Sequence, residues 1–573
     1  MSVPKWVCGV LALTALLLMA NSAFGQGSPV RQILLLCNQP SGIFCTEQLD
    51  NPSAWNYVGH DEPSLLFYSD VSGSGNRNVY RLTLPKDPAL KPKQNGRGGT
   101  WNFQLHPAFW TGMAMCDDQS APNPGGSAVG PNIPCVPDSD TNIYDDPNPN
   151  SPHYIGRHPG SAFMEMQFYP PGWINGNSLT QWTAALNIDS LSENQNTAQG
   201  KNTSQGNNAS CGGAVEYVNF AFIQRDGIPP GPPSPLLQNN STFFPNATSL
   251  FMNPGDDLVV TEHDTEQGLK ITVDDLTTGQ SGFMVASAAN GFAEILFDPN
   301  GSDCNPATHN LPYDFHPMYA TSSEHTRVTW TAHGYNIAFS DEVGHFEYCA
   351  TVKTEFGPCR SHAEDDPPGI DDNTCIDAAF TASYIVLGQL ASLPIGGCFD
   401  ADEEFDGVPY RSNTWPGSFS NALQDALFHP LPVIFSSLLF RGQGGDLQNY
   451  SRVAFETDLP RVEFATTPPC QRHLSNPADP NPGQGCVNPP VGADFYPFYS
   501  TRSVSGECRW QLGGPFIPGT VEKFGGSSSA EYGQLEALFY PTSNGTQYIY
   551  ENFHRTLLFN PCVASGEGSS AEE

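Results

Sequence analysis

The sequence predicts an all-β protein, and three observations support that fold class. The chain has 573 residues, of which 55 are glycine and 52 are proline, so turns are frequent. Aromatic residues reach 11% while charged residues are only 14%, a composition typical of short strands rather than long helices. Short apolar or alternating runs recur between turn residues, which predicts a β-sandwich or jelly roll.

The clearest strand pattern lies in the segment 163–169. Phe163, Glu165, Gln167 and Tyr169 are predicted to share one face of this strand, and the residues between them are apolar. An alternating or apolar pattern bounded by turn residues recurs along the same region. The further predicted strands lie at 181–189, 214–224, 256–264, 268–276, 281–287, 292–297 and 336–349.

The chain begins with a predicted signal peptide, residues 1–25. Lys5 precedes a long apolar run, and Ala23 and Gly25 are small residues at the positions that a signal peptidase reads. The remaining predicted segments are an N-terminal β and irregular segment (26–100), a β-sandwich domain (101–350), a cysteine- and acid-rich connector (351–430), a C-terminal β region (431–562) and a disordered tail (563–573). The C-terminal region forms either a second sandwich or an extension of the first.

The charge balance excludes several classes of partner. The formal net charge is −35, from 24 basic and 59 acidic residues, so nucleic acids and anionic membrane surfaces are repelled. After the signal peptide no apolar run is long enough to cross a bilayer, and we expect a secreted protein without membrane insertion. A low number of basic residues also limits positive self-repulsion in acid, as suits an acidic extracellular medium.

Cysteine usage predicts a protein stapled by disulfides. Fifteen cysteines are present, and removing Cys8 with the signal peptide leaves fourteen. An even number in an oxidising compartment indicates seven bridges. Pairing of sequence neighbours predicts Cys37–Cys45, Cys116–Cys135, Cys211–Cys304, Cys349–Cys359, Cys375–Cys398, Cys470–Cys486 and Cys508–Cys562.

Glu294 is the first candidate for a catalytic group. On a strand it shares a face with Phe292 and Leu296. Burial on an apolar face disfavours the charged form of a carboxyl group, which suits a general acid or base in an acidic medium. The alternative interpretation is a strand glutamate that faces water at a sheet edge.

Several short motifs occur in the order in which they occur in a known family. They are Trp182-Thr183-Ala184-Ala185-Leu186-Asn187-Ile188-Asp189, Cys211-Gly212-Gly213-Ala214-Val215, the aromatic strand from Val218 to Gln224, Gly255-Asp256, Thr277-Thr278-Gly279 and Ala293-Glu294. In this order, over about residues 180–300, the chain resembles the glutamic peptidases, the eqolisin family. The resemblance implies a concanavalin-like sandwich and an acid-active peptidase without a catalytic cofactor. It also implies that Glu294 is the catalytic glutamate.

One departure from the family leaves the function open. The family pairs its glutamate with a glutamine that follows the Cys-Gly strand, whereas here Glu216 and Tyr217 stand in that neighbourhood. Either residue would replace the missing partner in a hydrolase, with Trp182 as a pocket wall. Alternatively, Glu216 and Glu294 form the carboxylate pair of a glycosidase.

The residues around the predicted strand 163–169 suggest the substrate-binding surface. Glu165, Gln167 and Tyr169 would line a groove for an extracellular protein or polysaccharide. The leading hypothesis is therefore a secreted hydrolase of an extracellular polymer. A sandwich that binds an extracellular glycan without hydrolysis and a structural secreted protein are the two alternatives.

A calcium site is predicted in the connector. Asp402, Glu404, Asp406 and Gly407 follow the spacing that begins an EF-hand loop, with alternating oxygen ligands and a glycine for the turn. A solvated acidic turn explains the same residues equally well. We expect no cofactor for catalysis, and calcium would have a structural role.

Overall fold

The computed structural model describes the residues that form most of the strands and the loops between them. These are residues 64–69, 74, 76–89, 109–116, 119, 161–171, 180–189, 209–211, 218–298, 300–317, 333–339, 381–386, 389–394, 422–428, 431, 433–442, 444–458, 499–512, 534–541, 547–557 and 560–563. The longest stretch, 218–298, covers the segments that carry Glu294 and the Gly-Asp and Thr-Thr-Gly motifs.

Strands dominate the described residues. Those of the first half are β1 (Ser64–Ser69), β2 (Arg77–Thr83), β3 (Phe109–Cys116), β4 (Ser161–Tyr169), β5 (Thr183–Asp189), β6 (Val218–Phe222), β7 (Asp257–Thr265), β8 (Gly268–Asp275), β9 (Ser281–Val285), β10 (Ala293–Ile295) and β11 (Asn310–Pro312). Those of the second half are β12 (His333–Phe339), β13 (Thr381–Val386), β14 (Gln389–Pro394), β15 (Ile434–Ser436), β16 (Leu439–Arg441), β17 (Leu447–Asn449), β18 (Arg452–Asp458), β19 (Tyr499–Val504), β20 (Glu507–Leu512), β21 (Gln534–Pro541) and β22 (Gln547–Leu557).

Helix is scarce in the part of the chain that the structure describes. The α-helices there are α1 (Pro306–His309) and α2 (Ala422–Phe428), together with a few 3-10 turns. The fold class predicted from composition, all-β, is confirmed.

Two antiparallel sheets of nine strands organise the molecule. The first has the order β21-β22-β18-β1-β12-β3-β4-β5-β6. The second has the order β19-β20-β15-β2-β7-β8-β9, and β16 and β17 are attached to it through β2. Strands from the predicted N-terminal, central and C-terminal segments thus pair within the same two sheets. The separate pairs β10–β11 and β13–β14 lie outside them.

One hydrophobic core is shared by the inward faces of both sheets. Met164, Met166 and Phe168 enter it from β4, and Leu258 and Val260 enter it from β7, all fully buried. Because each such side chain leaves water on folding, each contributes about 1.5 to 3 kcal/mol of transfer free energy. The alternation predicted for 163–169 is found, with apolar residues inward and Glu165 and Gln167 on the opposite face.

Disulfides fasten two of the loops that connect these elements. Cys211–Cys304 and Cys508–Cys562 are formed, as the pairing of sequence neighbours predicted. Cys116 is also disulfide-bonded, and its partner lies outside the described residues. The other four predicted bridges lie outside them as well. Among the helices that the structure describes, none is long and apolar enough to cross a membrane.

Candidate functional site

A row of polar side chains lies on the face of β4 and β5 that points away from the shared core. On β4 the row consists of Glu165, Gln167 and Tyr169, which are alternate residues and therefore share a face. The register places Asn187 of β5 opposite Glu165, and Thr183 opposite Tyr169. We call these five side chains the polar row.

Hydrogen bonds connect four of the five members of the polar row. Gln167 donates its Nε2–H to Oε2 of Glu165 over 2.5 Å, and its Oε1 accepts from the hydroxyl of Tyr169. Asn187 donates from Nδ2 to the same Tyr169 oxygen over 3.4 Å. Because the tyrosine O–H holds the amide oxygen, the amide nitrogen of Gln167 is oriented toward the carboxylate of Glu165.

Exposure differs among the members of the polar row. Glu165 and Gln167 are half-buried, whereas Tyr169 and Asn187 are 3% and 4% exposed. Solvent therefore reaches the carboxylate and the carboxamide, and the tyrosine and the asparagine are covered.

Two polar atoms on the β5 side of the polar row lack a hydrogen-bond partner. They are Oδ1 of Asn187 and Oγ1 of Thr183, both buried. A buried polar atom that forms no hydrogen bond costs about 1 to 3 kcal/mol, so such atoms are uncommon in folded proteins. Their concentration beside Glu165 and Gln167 is typical of a site that supplies their partners on binding.

Aromatic side chains close the row on the side of β6. Tyr169 packs with Phe220, Phe222, Phe243 and Ala185 in one buried cluster. The ring centroids of Tyr169 and Phe220 are 6.4 Å apart, and those of Phe220 and Phe243 are 5.1 Å apart. These rings hold Tyr169 in place, and because they are buried they do not offer an open stacking surface to a ligand.

Glu294 lies apart from the polar row, on the short strand β10. It pairs with Leu311 of β11, and only 2% of its surface is exposed. Of the two interpretations of this glutamate, the structure agrees with the buried side chain and not with one that faces water. Its role as a catalytic base stays a prediction.

Asn219 attaches β10 to the first sheet. Its Nδ2 donates to the carbonyl oxygen of Ala293 over 3.0 Å, and its Oδ1 accepts from the backbone N–H of Ala293 over 3.0 Å. Asn219 is fully buried and lies on β6 opposite Ile188, on the inward face of the sheet. Strand β10, which carries Glu294, is therefore attached to the core-facing side of the first sheet, whereas the polar row lies on the opposite side of that sheet.

Trp182 was expected to form a pocket wall, and the structure places it inside the shared core. It is fully buried, and its backbone pairs with Met252 through hydrogen bonds of 2.7 and 3.0 Å. Its ring centroid lies 6.0 Å from that of Phe109. By the alternation of β5, Trp182 points to the face opposite Asn187.

The remaining predicted site residues lie outside the described residues. These are Glu216 and Tyr217, and Asp402, Glu404 and Asp406 of the calcium prediction. Within the described ranges, no group of three or more histidine, cysteine, aspartate or glutamate side chains could hold a metal ion. The carboxylate pair of Glu216 and Glu294 and the calcium site stay predictions.

Sequence reasoning missed three buried acids on the second sheet. Glu262 points into the shared core from β7 and is fully buried. Asp256 and Asp275 lie together where β7 begins and β8 ends, 4% and 1% exposed. The signal for Glu262 was present, since it alternates with Leu258 and Val260 along the same strand.

Comparison with known proteins does not identify a family. No protein-family model matches the chain, and no curated protein has a matching sequence.

Proposed function

We propose that this protein is a secreted hydrolase of an extracellular polymer and that Glu165 and Gln167 form its reactive centre. The observation that carries the proposal is the hydrogen bond from the Gln167 amide to the Glu165 carboxylate on a half-buried face. A carboxylate beside a carboxamide offers a base and an oxyanion donor, the two groups that acyl transfer requires. The pair formed by Cys211 and Cys304 and the predicted signal peptide favour an extracellular location.

In this proposal three members of the polar row have a role in the reaction. Glu165 takes a proton from a water molecule, whose oxygen then attacks the carbonyl carbon of a peptide bond. When the tetrahedral intermediate collapses, the C–N bond breaks and the protonated Glu165 returns that proton to the leaving amine. Gln167 has a second amide N–H, which donates to the oxyanion that develops on the carbonyl oxygen. Tyr169 fixes the amide orientation through its hydrogen bond to Oε1.

A peptide is favoured over a glycoside because of the number of acids in the row. Hydrolysis of a glycoside requires two carboxyl groups on opposite sides of the scissile bond. Among the five members of the polar row, Glu165 is the single acid, and its partner is a carboxamide. The proposal is thus peptidase-like in chemistry and is compatible with the concanavalin-like topology that the resemblance implies. The reactive glutamate, however, lies on β4 instead of β10.

The test is hydrolysis of denatured protein by the purified mature chain, measured from about pH 3 to about pH 7 across the range in which carboxyl groups titrate. Glu165→Gln removes the base and is expected to lower kcat by at least about 100-fold. Gln167→Ala removes an oxyanion donor and is expected to cost about 100- to 1000-fold. Glu266→Gln, at an exposed turn, is the matched control and retains full activity.

Three results would overturn the proposal in different ways. Loss of activity in Glu294→Gln, with Glu165→Gln fully active and both variants folded, would transfer the catalytic role to position 294. Saturable binding of a polysaccharide without turnover of any substrate would instead establish the glycan-binding alternative. Absence of both activities in the wild type would leave a structural protein.

A further inference from the structure

Two buried carboxyl groups are joined where the β7–β8 hairpin closes. Asp256 lies in the turn before β7, and Asp275 is the last residue of β8. The register pairs Leu258 with Asp275, and Leu276 donates its backbone N–H to the carbonyl of Asp257 over 2.8 Å. This pairing brings Asp256 and Asp275 within hydrogen-bonding distance of each other. Two carboxylates so close and so buried repel each other when both are ionised, so the pair favours the uptake of one proton.

The other hydrogen bonds indicate which group holds the proton. Asp275 accepts three hydrogen bonds, from the backbone N–H groups of Thr277 (2.9 Å) and Thr278 (3.0 Å) and from the Thr278 hydroxyl (2.6 Å). Three donors stabilise an ionised carboxylate. Asp256 accepts from the backbone and side chain of Asn253, over 2.6 and 3.0 Å. Asp256 accepts fewer hydrogen bonds than Asp275, so Asp256 is the member of the pair whose protonated form is favoured.

Burial is the largest influence on the pKa of Asp256. Burial raises this pKa above the ordinary value of 3.8. The hydrogen bond from the Asn253 backbone lowers the pKa, and the negative charge of Asp275 raises it further. The net direction is upward, as expected for the protonated member of the pair.

The neighbouring acid, Asp257, behaves in the opposite way. Burial alone would raise the pKa of Asp257. Hydrogen bonds from Thr83 and Arg81 lower this pKa, and so do the positive charges of Arg81 and Arg509. These effects outweigh burial and hold the pKa of Asp257 below 3.8. The ion pair of Asp257 with Arg81 spans 2.7 Å. Two further charged side chains belong to elements next to the pair: Lys86, which lies against Gly255, and Asp274, which is on the other face of β8.

We propose that Asp256 and Asp275 form a proton-dependent latch, which fastens the turn before β7 to the turn after β8 while one proton is shared between them. The latch also fastens the end of β2, because Leu84 donates to the Asp256 carbonyl over 2.9 Å and accepts from the Gly255 N–H over 3.1 Å. Loss of the proton leaves two buried negative charges in contact, and this end of the second sheet is weakened.

The direction of the pH dependence follows from linkage. A group with a raised pKa in the folded state contributes stability that is complete below 3.8 and is lost as the pH rises through the folded value. Asp257 has a lowered pKa, so its contribution is present above 3.8 and is lost as the pH falls through its folded value. The contributions of Asp256 and Asp257 together make this end of the second sheet most stable close to pH 3.8, which suits a protein in an acidic medium. This inference does not depend on the proposed hydrolase site.

The test compares urea unfolding of the full chain with that of Asp256→Asn, from about pH 3 to about pH 8. The asparagine donates to Asp275 at every pH, so the variant lacks the step caused by loss of the proton. Relative to the variant, the unfolding equilibrium constant of the wild type is expected to rise by up to about tenfold per pH unit through the titration of Asp256. Asp256→Asn is thus the more stable protein at neutral pH.

Asp274→Asn is the matched control, since it removes one carboxylate from the same strand and leaves the pair intact. It is expected to follow the pH dependence of the wild type. An Asp256→Asn curve parallel to that of the wild type, or one that is less stable at neutral pH, would overturn the latch. If Asp256→Asn does not fold, infrared spectroscopy of the wild type with labelled aspartate decides. The latch requires a protonated aspartic acid band that persists at a pH above 3.8, and the absence of such a band there would contradict it.

Discussion

Replacing Asn219 tests how β10 is held in the fold. The change Asn219→Ala removes both hydrogen bonds to Ala293 and leaves a buried N–H and a buried carbonyl without partners. Each unsatisfied group costs about 1 to 3 kcal/mol, so the free energy of unfolding is expected to fall by about 2 to 6 kcal/mol. Urea unfolding followed by tryptophan fluorescence measures this loss as a lower midpoint with an unchanged slope.

Asn187→Ala is the matched control for this prediction. Asn187 is also a buried asparagine on the first sheet, but its one hydrogen bond is long, at 3.4 Å, and its Oδ1 has no partner. Its removal is expected to change the free energy of unfolding by less than about 1 kcal/mol, because a weak bond and an unsatisfied atom disappear together. Equal losses in the two variants, or a loss below about 1 kcal/mol in Asn219→Ala, would refute the reasoning.

Two further predictions concern loops and turns. Replacing Cys211 and Cys304 together by serine opens a loop with a sequence separation of 93 residues and is expected to lower the free energy of unfolding by about 4 to 5 kcal/mol, measured by urea unfolding. An unchanged midpoint would show that this bridge adds no stability. Gly227→Ala is expected to lower the melting temperature more than Gly279→Ala does. Both glycines have positive φ, but a Cβ at Gly227 would lie 2.2 Å from the Phe283 ring, whereas none of the surrounding atoms is within 4 Å at Gly279. Equal shifts by calorimetry would contradict this difference.

Local strand patterns could be predicted because they depend on neighbouring residues. The alternation along β4 placed Met164 and Met166 on one face and Glu165 and Gln167 on the other, as the structure shows.

The pairing between distant segments could not be predicted from such patterns. β1 lies between β12 and β18 in the first sheet, and the partners are separated by hundreds of residues. A strand's alternation identifies its inward face but not the strand beside it. For this reason the sequence did not show that the N-terminal and C-terminal strands join the sheets of the central region.

The sequence predicted which side chains share a face at the candidate site, but it did not predict the hydrogen bonds between them. Sequence alone put Glu165, Gln167 and Tyr169 on one face, yet the hydrogen bonds among them depend on side-chain rotamers. Asp256 and Asp275 meet because of the register of the β7–β8 hairpin, which pairs Leu258 with Asp275. The order of short motifs directed attention to Glu294, which the structure buries on a separate pair of strands.

The most direct test of the proposed site is the rate of peptide hydrolysis by Glu165→Gln relative to the wild type in acid, with circular dichroism to establish that the variant is folded. We expect at least about a 100-fold lower kcat in the folded variant, because the carboxylate that activates water is absent. A folded Glu165→Gln protein that cleaves denatured protein at the wild-type rate would contradict it.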